Sequence, residues 1–453
     1  MDTPICDFVR RYTQGNTLRL HMPGHKGQSL LGMEHLDITE IRGADSLYEA
    51  EGIIARSEAN ASSLFGCPTF YSTEGSSQCI RAMLYLVALY ARENGMARTR
   101  IAAARNVHKT FLSAAALLDL DVDWLYPDED TAYLCCDICP EKLDGYLAHC
   151  EALPTAVYVT SPDYLGNVLD IRGLAAVCHR YGVLLVVDNA HGAYLKFLPG
   201  SRYPMDLGAD LCCDSAHKTL PVLTGGAYLH ISAAAPALFR EQAKDALAMF
   251  GSTSPSYLIL QSLDAANAML ADPGYIAKLV ALSFQVAGCR ERLTAHGINA
   301  NNGDEPLKLT IYPRFYGYTG LELAEYLREN GIECEFADPD FLVLMFTPAI
   351  TETDIRYLTE LLTALSRRAA ERFFPPAIPR PQRVISIREA ALAPRENLPV
   401  AECLGRILAA PSVGCPPAVP ILVCGERIDE DALRCFDYYG IERCTVVKLK
   451  IES

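Results

Sequence analysis

Two short stretches decide the fold, Val183-Leu184-Leu185-Val186-Val187-Asp188 and Asp214-Ser215-Ala216-His217-Lys218-Thr219. The first is an apolar run of strand length that ends at an acid, and Lys218 follows Asp188 by 30 residues. Strands that deliver an Asp and a Lys suit an enzyme that uses pyridoxal phosphate, because the lysine forms the Schiff base and the acid pairs with the pyridinium nitrogen. A lysine near a strand end is usually a solvated surface residue. The prediction therefore depends on the spacing from Asp188 and on the polar neighbours of Lys218.

Length and charge narrow the possible functions. A chain of 453 residues is long enough for two or three domains. Its formal net charge is −15, which argues against general nucleic-acid binding because that function needs basic patches. The acidity is compatible with a cationic substrate.

Cysteine usage and the N-terminus indicate a cytoplasmic location. The 17 cysteines show no repeated CxxC pairs with zinc spacing, so we expect buried thiols in a reducing cytosol and no metal site. Residues 1–7 lack the basic and apolar regions of a signal peptide. No apolar run approaches the ~18–20 residues that cross a bilayer, so no membrane partner is expected.

The segment from residue 60 to residue 230 alternates apolar strand-like runs with helical patterns. This alternation predicts an α/β fold, a mainly parallel sheet sandwiched by helices. Apolar residues recur at helical spacing from Ile80 to Ala91, and a short helix at 174–181 ends before Gly182. The predicted strands are 69–72, 100–104, 122–126, 155–160, 183–188, 211–213 and 227–230.

The pattern changes after residue 256. Long helices are predicted at 257–270 and 275–296, and a smaller α+β unit follows with strands at 307–312 and 341–346 and helices at 320–330 and 351–368. The proline-rich stretch 374–381 is typical of a stiff linker before a compact segment at 382–453. The expected domains are an N-terminal arm (1–24), a large pyridoxal-phosphate-binding domain (25–256), a small α+β domain with connecting helices (257–374) and a C-terminal α+β domain (375–453).

A candidate phosphate site lies in Thr73-Glu74-Gly75-Ser76-Ser77, between a strand and a helix. Gly75 permits a tight turn, and the N–H groups and hydroxyls of Ser76 and Ser77 would face a phosphate at the helix N-terminus. A serine after a glycine is also an ordinary helix N-cap. Lys218 farther along the same predicted sheet favours phosphate binding.

Two histidines follow predicted strands. His108 comes after the strand at 100–104 and could stack on the cofactor ring, although a surface-loop histidine is the alternative. Its place at the carboxyl end of a strand favours a functional role. His191 lies three residues after Asp188 and could orient that acid, line the pocket or be structural.

Taken in order, the motifs resemble those of the Orn/Lys/Arg decarboxylases, pyridoxal-phosphate enzymes of fold type I with an aspartate-aminotransferase-like fold. His21-Met22-Pro23-Gly24-His25-Lys26 is similar to the family's opening HxPGHK signature, and Ser215 to Thr219 is similar to its S-x-H-K-T motif. The resemblance covers nearly the whole chain. The other similar segments, in the family's order, are Asp37-Ile38-Thr39-Glu40, Glu51-Gly52-Ile53, Phe65-Gly66, Gly75-Ser76-Ser77, Asn106-Val107-His108-Lys109, Ser161-Pro162-Asp163-Tyr164-Leu165-Gly166, Asp188-Asn189-Ala190-His191-Gly192, Ser252-Thr253-Ser254-Pro255-Ser256-Tyr257, Pro416-Pro417-Ala418-Val419-Pro420 and Gly425-Glu426.

The resemblance implies roles for individual residues. Lys218 would be the Schiff-base lysine, Asp188 would bind the pyridine nitrogen and His108 would stack on the ring. Ser252 and Thr253 resemble the segment that reaches the phosphate of a neighbouring subunit in this fold, which implies a homodimer with active sites at the interface. The residues implied to hold the phosphate are Ser76, Ser77, Ser215 and His217, and Gly75 and His191 are further candidate cofactor-binding residues.

Some positions depart from the family pattern. Ala418 stands where a glycine is usual, Asp163 where a threonine is common and Glu74 where an asparagine is frequent. Because the HxPGHK match begins at residue 21, the resemblance implies a short form without the N-terminal receiver-like domain. Asp163 and Glu426 are candidate acids for a substrate's cationic tail.

The expected function is pyridoxal-phosphate-dependent decarboxylation of arginine, lysine or ornithine, a lyase reaction of polyamine biosynthesis. Lys218 or His217 would return a proton to the α-carbon. One alternative is an aminotransferase or another lyase of the same fold, with Arg314 as a candidate for binding the substrate carboxylate. Another is a cofactor-binding protein without activity. The sequence does not decide among the basic amino acids.

Overall fold

The computed structural model describes residues 1–127, 132–300, 304–370, 375–411 and 417–449. Its strands are β1 (Thr69–Ser72), β2 (Arg100–Ala104), β3 (Asp121–Leu125), β4 (Ala156–Thr160), β5 (Leu184–Asp188), β6 (Leu211–Asp214), β7 (Ala227–Ile231), β8 (Asn299–Ala300), β9 (Lys308–Tyr312), β10 (Phe336–Ala337), β11 (Leu342–Met345), β12 (Arg395–Pro399), β13 (Leu408–Ala410) and β14 (Arg443–Val447). Its α-helices are α1 (Pro4–Gln14), α2 (Ile53–Phe65), α3 (Gly75–Glu93), α4 (Lys109–Leu118), α5 (Pro140–His149), α6 (Ile171–Arg180), α7 (Pro204–Leu207), α8 (Ala216–Thr219), α9 (Ala237–Glu241), α10 (Ala243–Ala248), α11 (Tyr257–Leu270), α12 (Pro273–Ala295), α13 (Gly320–Glu329), α14 (Glu352–Thr363), α15 (Ile387–Leu392) and α16 (Glu430–Tyr438). Short 3₁₀ helices span Ala193–Phe197, Pro313–Tyr316 and Val400–Glu402.

The chain divides into two compact units. The first contains Met1–Thr99, Leu143–Ser161 and Asp170–Lys278, and the second contains the described residues of 100–142, 162–169 and 279–453. The four-part division expected from the sequence stays a prediction. Within the described residues no helix is both long enough and apolar enough to cross a membrane.

The sheet of the first unit carries the predicted site. Its strands lie in the order β1-β7-β6-β5-β4, in which β4, β5 and β6 are parallel and β7 is antiparallel to β6 and β1. Every residue of β5 is buried, as expected for a strand covered on both faces. The predicted α/β fold with a mainly parallel sheet flanked by helices is confirmed.

The second unit contains the parallel pair β2–β3 and two small antiparallel sheets, β10-β11-β9-β8 and β12-β14-β13. The last of these sheets packs with α16 around a core of its own, so the described residues of 382–449 have the α+β character that the sequence predicts. Members of that core are Cys403, Leu408, Ile428, Phe436 and Val446.

Helix α14 is shorter than predicted. The sequence pattern places its end at residue 368, but the helix stops at Thr363. The residues that follow are held by a neighbouring turn, because the Tyr318 hydroxyl donates to the Ser366 carbonyl at 2.8 Å and the Arg368 N–H donates to the Tyr316 carbonyl at 3.1 Å. The Arg368 guanidinium also lies 4.0 Å from the centroid of the Tyr318 ring. These contacts replace the last turn of the predicted helix.

Two glycines of the second unit make a matched test of backbone packing. A Cβ at Gly320, the first residue of α13, would overlap the carbonyl oxygens of Phe341 and Asp338, whereas a Cβ at Gly288 in α12 would meet nothing within 4 Å. We expect Gly320→Ala to lower the free energy of unfolding by about 1–3 kcal/mol and Gly288→Ala to raise it by up to ~1 kcal/mol. Thermal unfolding of both variants measures this, and equal midpoints would contradict the close packing at Gly320.

Candidate active site

Three parallel strands of the first unit end together. β4, β5 and β6 end at Thr160, Asp188 and Asp214, and the register pairs Thr160 with Asp188 and Asp188 with Cys213. Open α/β sheets bind their ligands outside the carboxyl ends of their strands. The residues that follow these ends therefore form the candidate active site.

Lys218 lies in α8, which begins directly after β6 and Ser215. Its Nζ is 2.7 Å from Nε2 of His191, which the turn after β5 supplies. A lysine ammonium only donates hydrogen bonds, so Nε2 of His191 accepts and the imidazole carries its proton on Nδ1. Of the interpretations open for His191, the structure favours the one in which it lines the site beside the lysine.

Asp188 is buried, with 2% of its surface exposed. Its Oδ2 accepts from the Tyr158 hydroxyl at 3.2 Å and its Oδ1 from the Ala190 N–H at 3.2 Å. Burial raises the pKa of Asp188, and the positive charge of Lys218 opposes this shift. The charge of Lys218 lowers the pKa of Asp188 more than the hydrogen bonds from Ala190 and Tyr158 do.

The predicted phosphate-binding serines lie together. The Ser215 hydroxyl donates to the Ser76 hydroxyl at 2.7 Å. Gly75 has φ +74°, a left-handed conformation that glycine adopts at little cost, and its N–H donates to the Gly225 carbonyl at 2.7 Å. The turn thus presents Ser76 and Ser77 in the first turn of α3, a helix of 19 residues whose N-terminus favours anions.

His217 is oriented by the turn that precedes β7. Its backbone N–H donates to the Gly226 carbonyl at 3.1 Å, and its Nδ1 lies 3.0 Å from the same oxygen. A carbonyl only accepts, so Nδ1 carries a proton. A Cβ built on Gly75 would lie 4.0 Å from Cε1 of His217, which places this ring beside the start of α3.

Ser252 and Thr253 lie on an exposed segment of the first unit. The Ser252 N–H donates to the carboxylate of Glu74, the N-cap residue of α3. The segment therefore lies near the predicted phosphate site of its own chain. Its predicted contact with the phosphate of a neighbouring subunit stays a prediction.

His108 belongs to the second unit, where it is the N-cap of α4. Its Nδ1 accepts from the Thr110 N–H at 3.2 Å, so that nitrogen is unprotonated. The Lys109 N–H donates at 2.8 Å to the carbonyl of Ala418, whose φ of +59° is a conformation that glycine adopts more easily. This explains why a glycine suits position 418. Pro416, of the same motif, lies outside the described residues, and the stacking role of His108 stays a prediction.

The acids that the sequence offers to a cationic substrate have partners in the second unit. Asp163 accepts from the backbone N–H groups of Leu165 and Asn167, both at 2.9 Å, and from the Asn167 side-chain amide at 2.7 Å. Glu426 forms a buried ion pair with Arg105 at 2.8 Å. Both carboxylates are thus engaged in holding loops of their own unit. Among the described residues no group of three or more His, Cys, Asp or Glu side chains is arranged to hold a metal ion.

A family model described as "Orn/Lys/Arg decarboxylase, major domain" matches residues 3–280, a range that contains every predicted cofactor residue. The chain belongs to the Orn/Lys/Arg decarboxylase family. The resemblance inferred from its motifs is confirmed.

Relatives of this decarboxylase are similar along nearly its whole length. It is 28% identical over 467 residues to a protein named arginine decarboxylase from Bacillus subtilis (strain 168), covering 95% of this chain and 92% of that one. It is 30% identical over 468 residues to a protein of the same name from Halalkalibacterium halodurans, again covering 95% and 92%.

Solved structures share the decarboxylase's fold. The lysine decarboxylase of Francisella novicida matches with a TM-score of 0.80 at 18% identity, covering 98% of this chain and 81% of that one. The constitutive lysine decarboxylase of E. coli matches with a TM-score of 0.78 at 18% identity, covering 99% and 82%. At this level of identity the matches establish the fold alone.

Sequence reasoning missed a buried polar network in the decarboxylase's first unit. His230 of β7 forms an ion pair with Asp214 through Nε2 and Oδ2 at 3.1 Å, and neither side chain is exposed. Asp214 also accepts from the Asn189 amide at 2.5 Å and from the Tyr203 hydroxyl at 3.1 Å. The one signal in the sequence was a histidine inside an otherwise apolar strand, which by itself does not reveal a partner.

This ion pair predicts a pH dependence of stability. Burial alone would lower the pKa of His230, but the Asp214 carboxylate reverses this and raises the pKa to about 9. A raised pKa in the folded state means that the stabilisation is fully present below the unfolded value of ~6.5 and is lost as the pH rises through about 9. The size of this contribution is about 3 kcal/mol.

We therefore expect the urea midpoint of unfolding to fall between pH 7 and pH 9.5, and NMR of ring-labelled histidine to show His230 still protonated at pH 8. The assignment comes from the signal that disappears in His230→Gln. A His230 titration midpoint below pH 7 would contradict the ion pair.

Proposed function

We propose that the chain decarboxylates arginine with pyridoxal phosphate as its cofactor. Decarboxylation of basic amino acids is the reaction of the family to which it belongs, and similar relatives over 95% of its length are named arginine decarboxylase. The observation that carries the proposal is the cluster of Lys218, His191 and Asp188 at the carboxyl ends of β5 and β6.

The residues of the first unit fit pyridoxal phosphate. Lys218 supplies the amine for the cofactor aldehyde, and Asp188 is a buried carboxylate suited to a protonated ring nitrogen. Ser76 and Ser215 offer hydroxyls to the phosphate at the N-terminus of α3. The Thr160 hydroxyl at the end of β4 is buried, and in the described part of the chain it has no hydrogen-bond partner, so it can take one from a ligand. Bound pyridoxal phosphate supplies the electron sink for the electron pair that remains when CO2 leaves.

The side chains around Lys218 prepare it for this chemistry. A lysine attacks an aldehyde carbon only as the neutral amine, and the Nε2 of His191 lies where it can take the proton that Lys218 gives up. Burial of Asp188 excludes water, which strengthens its attraction for any cation held opposite it. Lys218 and His217 are the proposed donors of the proton that returns to the α-carbon.

The alternatives have less support. Arg314, the candidate for an aminotransferase's carboxylate site, pairs through Nε with Asp340 at 2.8 Å and donates to the Pro339 carbonyl at 3.1 Å. A cofactor-binding protein without activity would not need both Lys218 and Asp188. We therefore retain the decarboxylase as the proposed function.

A substrate panel tests the proposal. The purified protein with pyridoxal phosphate is incubated with L-arginine, L-lysine, L-ornithine and L-glutamate, and the products are identified by mass together with the CO2 released. We expect an amine from arginine, slower turnover of lysine and ornithine, and no product from glutamate. Lys218→Ala is the blank, because Lys218 is only half-buried, on a short helix that follows the end of β6, and loss of its side chain should leave the fold intact. Amino transfer to a keto acid without CO2 would refute the proposal.

We also propose a homodimer in which Ser252 and Thr253 reach the partner's phosphate. Support comes from residues 18–33 of the first unit, where large apolar side chains are exposed to a degree unusual for a surface without a partner. These side chains are Leu18, Leu20, Leu30 and Leu31, each 79–85% exposed. Light scattering should give the mass of two chains, and Leu30→Asp with Leu31→Asp should lower it. A wild-type mass of one chain would rule out the homodimer.

We further propose that the enzyme works in the cytoplasm and in polyamine synthesis. In the described part of the chain no cysteine is cross-linked, which suits a reducing compartment. Loss of CO2 from arginine, lysine or ornithine leaves a basic amine, the kind of compound from which polyamines are built. Cell fractionation with an antibody against the chain tests the location.

A further inference from the structure

The end of β6 is tied to the turn after β5 by one asparagine. The side-chain amide of Asn189 donates to Oδ1 of Asp214 at 2.5 Å, and its backbone N–H donates to the Cys213 carbonyl at 3.0 Å. Asn189 is the residue after Asp188, and Asp214 lies four residues before Lys218. The two bonds therefore join the backbone segments that carry the proposed catalytic pair.

The other carboxylate oxygen of Asp214 accepts two hydrogen bonds from side chains of the first unit. Its Oδ2 accepts from Nε2 of His230 and from the Tyr203 hydroxyl, both at 3.1 Å. Nδ1 of His230 lies 2.9 Å from the Thr69 hydroxyl. Both ring nitrogens of His230 thus have partners, and the pair reaches from β1 through β7 to β6.

None of these groups is solvated, since Asp214, His230 and Asn189 are all 0% exposed. A buried ion pair is costly to form, and removal of one partner leaves an unpaired buried charge. Satisfied polar networks are rigid, and within the described residues every buried polar side-chain atom of these three residues has a partner except Oδ1 of Asn189. It does not contact the reacting atoms, so any effect on catalysis must act through Asp188 and Lys218.

We propose that His230, Asp214 and Asn189 are positioning residues, which hold the Lys218 amine and the Asp188 carboxylate at the separation that the cofactor requires. This proposal rests on the proposed function, because it assumes that these two side chains bind opposite ends of pyridoxal phosphate. A purely structural ion pair would stabilise the fold without changing the geometry of the site.

The chain contains a second His–Asp pair, which serves as a matched control for a purely structural role. His179 of α6 and Asp210 pair through Nε2 and Oδ2 at 3.0 Å, and the same Oδ2 accepts from the Leu185 N–H at 2.8 Å. Leu185 is near the start of β5, and Asp210 directly precedes β6. This second His–Asp pair therefore lies at the amino ends of the two strands whose carboxyl ends carry the site.

The test compares His230→Asn and Asn189→Ala with His179→Asn, each assayed at the same interval below its own unfolding midpoint. Three quantities are measured: the dissociation constant of pyridoxal phosphate by absorbance titration, hydrogen exchange of the protein without cofactor, and kcat and KM for arginine. We expect His230→Asn and Asn189→Ala to weaken cofactor binding and lower kcat about tenfold or more, with KM changed less than about twofold. Exchange should become faster in residues 188–192 and 214–219. His179→Asn should leave cofactor binding, kcat and exchange in these segments near wild-type values.

The outcomes separate a positioning role from a structural one. If His230→Asn and Asn189→Ala lose thermal stability but bind cofactor and exchange as His179→Asn does, the proposal is overturned. If His230→Asn does not fold, Asn189→Ala decides, because it removes the side-chain bond to Asp214 and leaves the backbone bond to Cys213 and the ion pair in place. If the wild type binds pyridoxal phosphate but decarboxylates no basic amino acid, the proposed function fails, while exchange and cofactor binding still decide the positioning role.

Discussion

A buried carboxylate beside a lysine is the constraint on which the rest of the site depends. Asp188 lies at the end of a strand that is covered on both faces, and burial raises its pKa while the charge of Lys218 opposes that shift. When Lys218 gives up its charge to become a nucleophile, Asp188 loses a stabilising cation. A protonated ring nitrogen of bound pyridoxal phosphate would supply another cation, so the proposed pair of side chains suits a ligand with an electrophile at one end and a basic nitrogen at the other.

The parallel arrangement of β4, β5 and β6 brings Asp188 and Lys218 to the carboxyl-end edge of the sheet. Buried hydrogen bonds near that edge limit the movement of both side chains. Tyr158 and the Ala190 N–H hold the Asp188 carboxylate directly, whereas Asn189 and the Asp214–His230 pair hold the backbone on either side. Rigid support of this kind matters because small displacements of reacting groups cost large factors in rate. The first unit thus sets the uncharged donors of Tyr158 and Ala190 against the Asp188 carboxylate, and the ion pair of Asp214 and His230 lies on the neighbouring strands β6 and β7.

The sequence predicted β4, β5 and β6 well and the short or exposed strands poorly, for physical reasons. β5 was evident because a strand buried on both faces is a continuous apolar run that ends where the chemistry begins. β12 was not, because its Arg395-Glu396-Asn397-Leu398-Pro399 has no buried residue and no alternation to detect. Side-chain partners were also beyond prediction: Glu426 pairs with Arg105, and His230 pairs with Asp214, across separations along the chain that no local pattern reveals. Motif order, in contrast, identified the family correctly.

The proposed covalent bond between Lys218 and the cofactor can be detected directly by chemical reduction. The protein is incubated with pyridoxal phosphate, reduced with borohydride, digested and mapped by mass spectrometry. We predict a single reduced pyridoxyl adduct on the peptide that contains Lys218, and none on that peptide when free lysine competes during loading at high concentration. An adduct on a different lysine, or none at all under conditions where the cofactor is bound, would contradict the account.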